Sequence, residues 1–196
     1  MIGYFVTGTD TNAGKTFVTC ALAARARALG HRVWAWKPVE TGCDGVGPDQ
    51  EALVASAGGW QRGEAAGLLR FALPAAPRVA AAAEGRRIDA AAVLAAYRRI
   101  VAAEQPEVVL VEGAGGWRVP FDDELDMGGV ARALGLPVVV VARAGLGTIN
   151  HTLLTVEAVE RDGARCAGVV MSRTPEVARA VAEGNREEVL RRDRKS

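Results

Sequence analysis

The sequence is short of the residues that build metal and disulfide frameworks. Its three cysteines, Cys20, Cys43 and Cys166, are odd in number and show no CxxC spacing. With only two histidines beside them, a zinc site is not expected. Free thiols without a disulfide framework fit a reducing compartment. Charge of one sign is also lacking. The formal net charge is +1, which supplies no field for nucleic acid or an anionic membrane surface. No apolar run approaches the ~18–20 residues of a membrane span. The apolar segment Ile2–Val6 is too short for a secretory signal core and follows no basic leader. These absences together give the expectation of a soluble cytoplasmic protein.

What is present is a large apolar fraction, 49% of 196 residues, enough for one compact domain over residues 1–196. Short apolar runs at Ile2–Val6, Arg32–Trp36, Val108–Val111, Val138–Ala142 and Ala167–Met171 alternate with longer helical patterns. Those helices are expected at Lys15–Leu29, Asp49–Ala57, Asp89–Ala103, Met127–Leu134, Ile149–Arg161 and Pro175–Arg192. Strands that are apolar almost throughout are covered on both faces, as in a parallel sheet. Gly30, Gly135 and Gly163 stand where helices end, Asp89 where one begins, and Pro175 suits a first helical turn. The alternation predicts an α/β class, three-layer fold with a mainly parallel central sheet.

The segment Gly8-Thr9-Asp10-Thr11-Asn12-Ala13-Gly14-Lys15-Thr16 joins the first strand to the first helix. Backbone N–H groups in such a loop, with the helix start behind them, form an anion site. Lys15 is placed to neutralise β- and γ-phosphate charge, and the Thr16 hydroxyl to ligand Mg²⁺. Five residues separate the two glycines where four are usual. Further on, the strand ending in Glu112 runs into Gly113-Ala114-Gly115-Gly116. An acid at the carboxyl edge of such a sheet holds Mg²⁺ or its water in phosphoryl-transfer sites. Lys37 ends the second strand and should emerge at the same edge; local sequence alone reads it equally as a solvated lysine. Asp49 reads as a metal-linked acid or as a helix N-cap, with Glu51 its nearby rival.

Four motifs together resemble the dethiobiotin synthetase family: TGTDTNAGKT (Thr7–Thr16), KPVETG (Lys37–Gly42), VEGAGGW (Val111–Trp117) and GLGTINH (Gly145–His151). The region Pro74–Ile88 also fits, and the match runs collinearly from Ile2 to about Ser172. The elongated loop is itself a family feature. The resemblance implies a P-loop NTPase-like fold and ATP-dependent joining of carbon dioxide to 7,8-diaminononanoate, with Mg²⁺ as cofactor. It assigns ATP to Asn12, Ala13, Gly14, Lys15, Thr16, Phe17, Asp49, Glu112, Gly113, Ala114, Gly115 and Ser172. Thr16, Asp49 and Glu112 fall on metal-linked positions. Lys15 and Lys37 are the catalytic lysines, Lys37 at the carbamate. Thr11, Lys37 and Thr41 are assigned to substrate, as are Gly147, Thr148, Ile149 and Asn150, which in the family reach across a homodimer interface to the substrate carboxylate. His151 is then structural rather than a base.

Two departures accompany the resemblance. Ser172 stands where the family commonly has an asparagine that reads adenine, and the chain ends soon after the last helix. The basic tail Arg191–Ser196 reads as a solvated helix end rather than a nucleic-acid arm. Two other classes share parts of the pattern. Amidoligases of the cobyrinic acid or CTP-synthase type carry a glutaminase domain, for which 196 residues leave no room. ParA/MinD-like switches carry a second lysine early in the loop, and Gly8–Ala13 has none.

Overall fold

The computed structural model describes residues 1–193; the end of the basic tail, residues 194–196, lies outside them. Five strands form the central sheet: β1 (Ile2–Gly8), β2 (Val33–Trp36), β5 (Val108–Gly116), β6 (Val138–Arg143) and β7 (Cys166–Ser172), in the order β2-β5-β1-β6-β7. All four pairings are parallel. Two short strands, β3 (Val39–Thr41) and β4 (Leu69–Phe71), make a separate parallel pair. The helices are α1 (Lys15–Ala28), α2 (Pro48–Ser56), α3 (Pro77–Ala83), α4 (Ala90–Glu104), α5 (Met127–Leu134), α6 (Thr148–Arg161) and α7 (Arg179–Asp193).

Period-2 alternation along the strands splits the core into layers. Val33 and Ala35 of β2, with Val108 and Leu110 of β5, pack against Ala23 of α1 and Leu53 of α2. Trp34, Trp36, Val109 and Val111 point to the opposite face, against Val93, Tyr97 and Ile100 of α4. Trp34 and Trp36 are fully buried with ring centroids 5.0 Å apart. Their indole N–H groups donate to the carbonyls of Ala65 and Glu64, which offsets the cost of removing these polar atoms from water. The outer edge of β2 is closed by side chains: Trp60 Nε1 donates to Val33 O and Gln61 Nε2 to Ala35 O. This covers an edge that would otherwise template another strand.

The expected class, layers and parallel sheet are therefore present, and each of the five expected strands forms. Asp89 caps α4 by accepting from Ala92 N. Gly30, Gly135 and Gly163 have the positive φ of residues just past a helix end. Three local expectations are corrected. Helix α7 begins at Arg179, so Pro175 is not in its first turn. Helix α2 begins at Pro48 with Gly47 as N-cap, so Asp49 is not the cap. Strand β5 continues through the glycines to Gly116, which pairs with Gly8 of β1. The pair β3–β4 and helix α3 were not anticipated.

Candidate active site

The strand order reverses around β1: its neighbours are β5 on one side and β6 on the other. Ligands of open parallel sheets bind beyond the carboxyl ends at such a switch point, and here the loop Thr9–Gly14 leaves β1. Asn12 has φ 59° and Gly14 φ 93°, left-handed conformations that curl the backbone into an anion-binding concavity ahead of α1. Asp10 fixes the loop from both sides. Its Oδ1 accepts from Thr11 N at 2.7 Å, and its Oδ2 pairs with Arg143 at 3.1 Å, at the end of β6.

Beneath the loop lies a buried polar centre. Glu112 is completely buried. Its Oε1 accepts from Thr16 Oγ1 at 2.8 Å and pairs with Lys37 Nζ at 3.1 Å. Lys37 also pairs with Asp49. Lys15 Nζ reaches Asp10 O at 3.4 Å. Lys15 and Lys37 are each only 7% exposed, yet they titrate in opposite directions. Burial is the larger influence on Lys15 and holds its pKa below the ordinary lysine range, although Glu112 pulls the other way. Burial also opposes the charge on Lys37, but Glu112 and Asp49 together outweigh it and raise that pKa. The carboxylates of Glu112 and Asp49 thus favour the charged form of Lys37.

One cavity of about 710 Å³ is lined by Thr11, Asn12, Gly14, Lys15, Thr16, Phe17, Lys37, Thr41, Asp49, Ala114 and Gly115, all singled out from sequence. Its other wall is apolar: Pro74, Ala75, Ala76, Pro77 and Val119. The remaining sequence-selected residues sit elsewhere. Ala13 is buried against Val6, Val18 and Val141. Gly113 lies where a Cβ would meet the Phe5 ring at 2.9 Å. Ser172 packs on the loop, its Oγ 2.6 Å from where a Cβ on Gly14 would stand. Gly147, Thr148, Ile149 and Asn150 open α6 outside this cavity, with Gly147 and Asn150 exposed. His151 is exposed on the same helix. Glu51 is exposed on α2 and takes no part in the lining; geometry favours Asp49 of the two. Sequence reading gave no role to Glu40 or Gln50, which hold the Lys37–Asp49 region from behind, nor to Val119. KPVETG contained Glu40, but its hydrogen-bond partners are backbone groups nine and ten residues away, which no motif displays.

A parallel α/β sheet with a lysine-bearing, glycine-curled loop at its switch point, a buried acid behind it and a second lysine opposite defines a phosphate-loop nucleotide-dependent enzyme. Similarities to known proteins narrow this. Residues 3–192 match the family described as an AAA domain. The ATP-dependent dethiobiotin synthetase BioD of Anaeromyxobacter dehalogenans (strain 2CP-C) is 50% identical over 175 residues, 89% of this chain and 78% of that one. The enzyme of the same name from Aromatoleum aromaticum is 41% identical over 204 residues, covering 96% and 85%. The chain belongs to the dethiobiotin synthetase family and is an enzyme of its carbon–nitrogen ligase class. Among solved structures, the kinase domain of Escherichia coli tyrosine kinase ETK matches with TM-score 0.54 at 18% identity, over 90% of this chain and 69% of that one. Chloroplast FtsY from Physcomitrella patens matches with TM-score 0.57 at 18% identity, over 96% and 52%. These distant likenesses concern the fold alone.

Proposed function

We propose that the chain, as a single domain over residues 1–196, makes dethiobiotin in biotin biosynthesis. It would carboxylate 7,8-diaminononanoate with carbon dioxide and close the ureido ring at the expense of ATP. The observation that carries this reading is the shared cavity, in which the phosphate loop faces Lys37, Thr41 and an apolar wall. Phosphate oxygens need the loop and Lys15. A diamine with an alkyl chain needs a polar end and an apolar flank, and Pro74–Pro77 with Val119 supply the flank.

In the proposed reaction one substrate amine adds to carbon dioxide and gives up a proton, leaving a carbamate. A carbamate oxygen attacks the γ-phosphorus of ATP and ADP departs. The second amine then attacks the carbonyl carbon, phosphate leaves, and loss of a proton completes the ring. A carbamate oxygen is a weak nucleophile, so positioning and charge neutralisation govern the rate. Lys37, held protonated, stabilises the carbamate and its phosphorylated form; Lys15 balances charge on the transferring phosphoryl group. Asn12–Phe17 would bind the triphosphate, with Ala114 and Gly115 on the cavity wall and Gly113 behind them against Phe5. Thr11 and Thr41 orient the diamine.

Thr16, Asp49 and Glu112 would hold Mg²⁺. The fit is chemical: Glu112 Oε2 is buried without a hydrogen-bond partner, and a hydroxyl with two carboxylates leaves room for the water and phosphate oxygens that this ion keeps. When bound, the ion offsets charge on the β- and γ-phosphates. A homodimer places Gly147–Asn150 of one subunit at the substrate carboxylate of the other. Leu146, fully exposed beside that turn, and the exposed Leu154 one face along α6 support burial of this helix against a second copy. We read the enzyme as cytoplasmic; among the described residues no helix is long and apolar enough to cross a membrane. Incubation with ATP, the diamine and ¹³C-bicarbonate tests the reaction: mass spectrometry should find one labelled carbon in a cyclised product. Unlabelled product, or none while ATP is consumed, contradicts it.

A further inference from the structure

The Lys37–Asp49 pair is gripped at the backbone from both ends. Glu40, in the middle of β3, is 3% exposed and turns its carboxylate to the start of α2. Its Oε1 accepts from Asp49 N at 2.9 Å and its Oε2 from Gln50 N at 2.8 Å. This is an N-terminal cap delivered from another element, since Gly47 at the N-cap position has no side chain to supply one. A carboxylate at a helix N-terminus is favoured by the exposed amide dipoles. Arg70, the register partner of Glu40 on β4, brings its Nε to the same glycine, 2.9 Å from where a Cβ on Gly47 would stand, without pairing with the carboxylate. Gln50 completes the grip: its Nε2 donates to Lys37 O at 2.9 Å. Space for both side chains exists because two glycines adjoin them. A Cβ on Gly47 would stand 2.7 Å from Glu40 Oε2, and one on Gly67 2.2 Å from Gln50 Cδ.

Neither Glu40 nor Gln50 lines the cavity. Helix α2 could have been capped by a serine or aspartate at position 47, at far lower desolvation cost than a buried glutamate. What the buried glutamate achieves, and a local cap would not, is to tie the backbone of Asp49 to the strand that begins two residues after Lys37. We propose that Glu40 and Gln50 are positioning residues for the reaction, a brace that fixes the Lys37 ammonium against Asp49 at the reacting end of the cavity. The proposal rests on the reading of that cavity given above.

The test is a kinetic double-mutant cycle on the full chain. Glu40→Gln should lower kcat about tenfold or more, as small displacements of a positioning group do. The Kd for ATP by calorimetry should stay within about threefold, because the phosphate loop is untouched. In an Asp49→Ala background the same substitution should lower kcat no further, since the group it positions is gone. Glu40→Asp, which keeps the charge but shortens the reach, should be intermediate. Should Glu40→Gln not fold, Gln50→Leu carries the same cycle, with the same expectation against Asp49→Ala. A merely structural role would lower Tm and leave kcat, measured well below Tm, within twofold of wild type; that result, or equal losses in both backgrounds, overturns the brace. Inactive Lys37→Ala beside normal Glu40→Gln sinks the brace alone. Normal turnover by Lys37→Ala takes down both the brace and the reading of the cavity.

Discussion

Thr16 Oγ1 donates to Glu112 Oε1 at 2.8 Å, joining the phosphate loop to the strand beneath it across 96 residues of sequence. The same oxygen faces Lys37 Nζ at 3.1 Å. Glu112 is therefore the common floor of both halves of the site. Glu112→Gln keeps the shape but removes the charge that faces both lysines. Asp49 still neutralises Lys37, so the expected destabilisation is on the order of 1–3 kcal/mol. That is a fall of roughly 3–10 °C in Tm for a chain of this size. Turnover should fall at least about 100-fold through lost charge organisation. Thermal melts beside a product assay check both; an unchanged kcat would remove Glu112 from the machinery.

Lys15 gives the opposite prediction for stability. Its pKa is held below the ordinary range, chiefly by burial, so the native state disfavours its charge. Lys15→Met should abolish turnover and leave Tm equal to or above that of wild type. A large fall in Tm would mean that the ammonium serves the fold.

Much of this was legible in the sequence. The five apolar runs became the central strands because continuous apolarity has one stable use in an alternating chain, a sheet covered on both faces. The phosphate loop was legible because its function requires a contiguous glycine, lysine and threonine pattern. The pair β3–β4 was not: each strand has three residues, and β3 sits between Pro38 and Gly42, too short for any periodicity to show. The glycine stretch after Glu112 reads as loop because glycine is a poor strand former. It joins the sheet because Gly116 pairs with Gly8, where a Cβ on Gly116 would stand only 3.3 Å from Gly8 O. The Glu40 cap was invisible because its acceptance of Asp49 N and Gln50 N depends on how β3 and α2 pack.

The raised pKa of Lys37 sets a pH dependence. A lysine whose folded pKa lies above its unfolded value, ~10.4, contributes stability that is complete below that value and lost as pH rises through the folded one. The difference in Tm between wild type and Lys37→Met should be constant from pH 7 to about 9 and shrink above about pH 10. The sequence has only three lysines, Lys15, Lys37 and Lys195, so few other amines blur the comparison. A difference that shrinks between pH 7 and 9 instead would place the Lys37 pKa low and make it a proton acceptor.

Nucleotide selectivity should be modest. Ser172 lies against Gly14, with a short hydroxyl where the family commonly has an amide. The residues proposed to grip the triphosphate, Asn12–Phe17, would read no base. One lost hydrogen bond is worth roughly 0.5–1.5 kcal/mol, so discrimination should drop by about tenfold. Comparing kcat/KM for ATP, GTP and CTP on one preparation tests this. A preference for ATP beyond about a thousandfold would show that another element, such as α7, reads adenine.

The central claim is that one cavity couples ATP cleavage to chemistry on a diamine and carbon dioxide. Phosphate release, followed with ATP and Mg²⁺ alone and then with the diamine and bicarbonate added singly and together, tests it most directly. Release should be slow until both are present, and each phosphate should then be matched by one molecule of ureido product. Release that is fast without them, or that responds to a partner protein and ignores the diamine, would contradict the account.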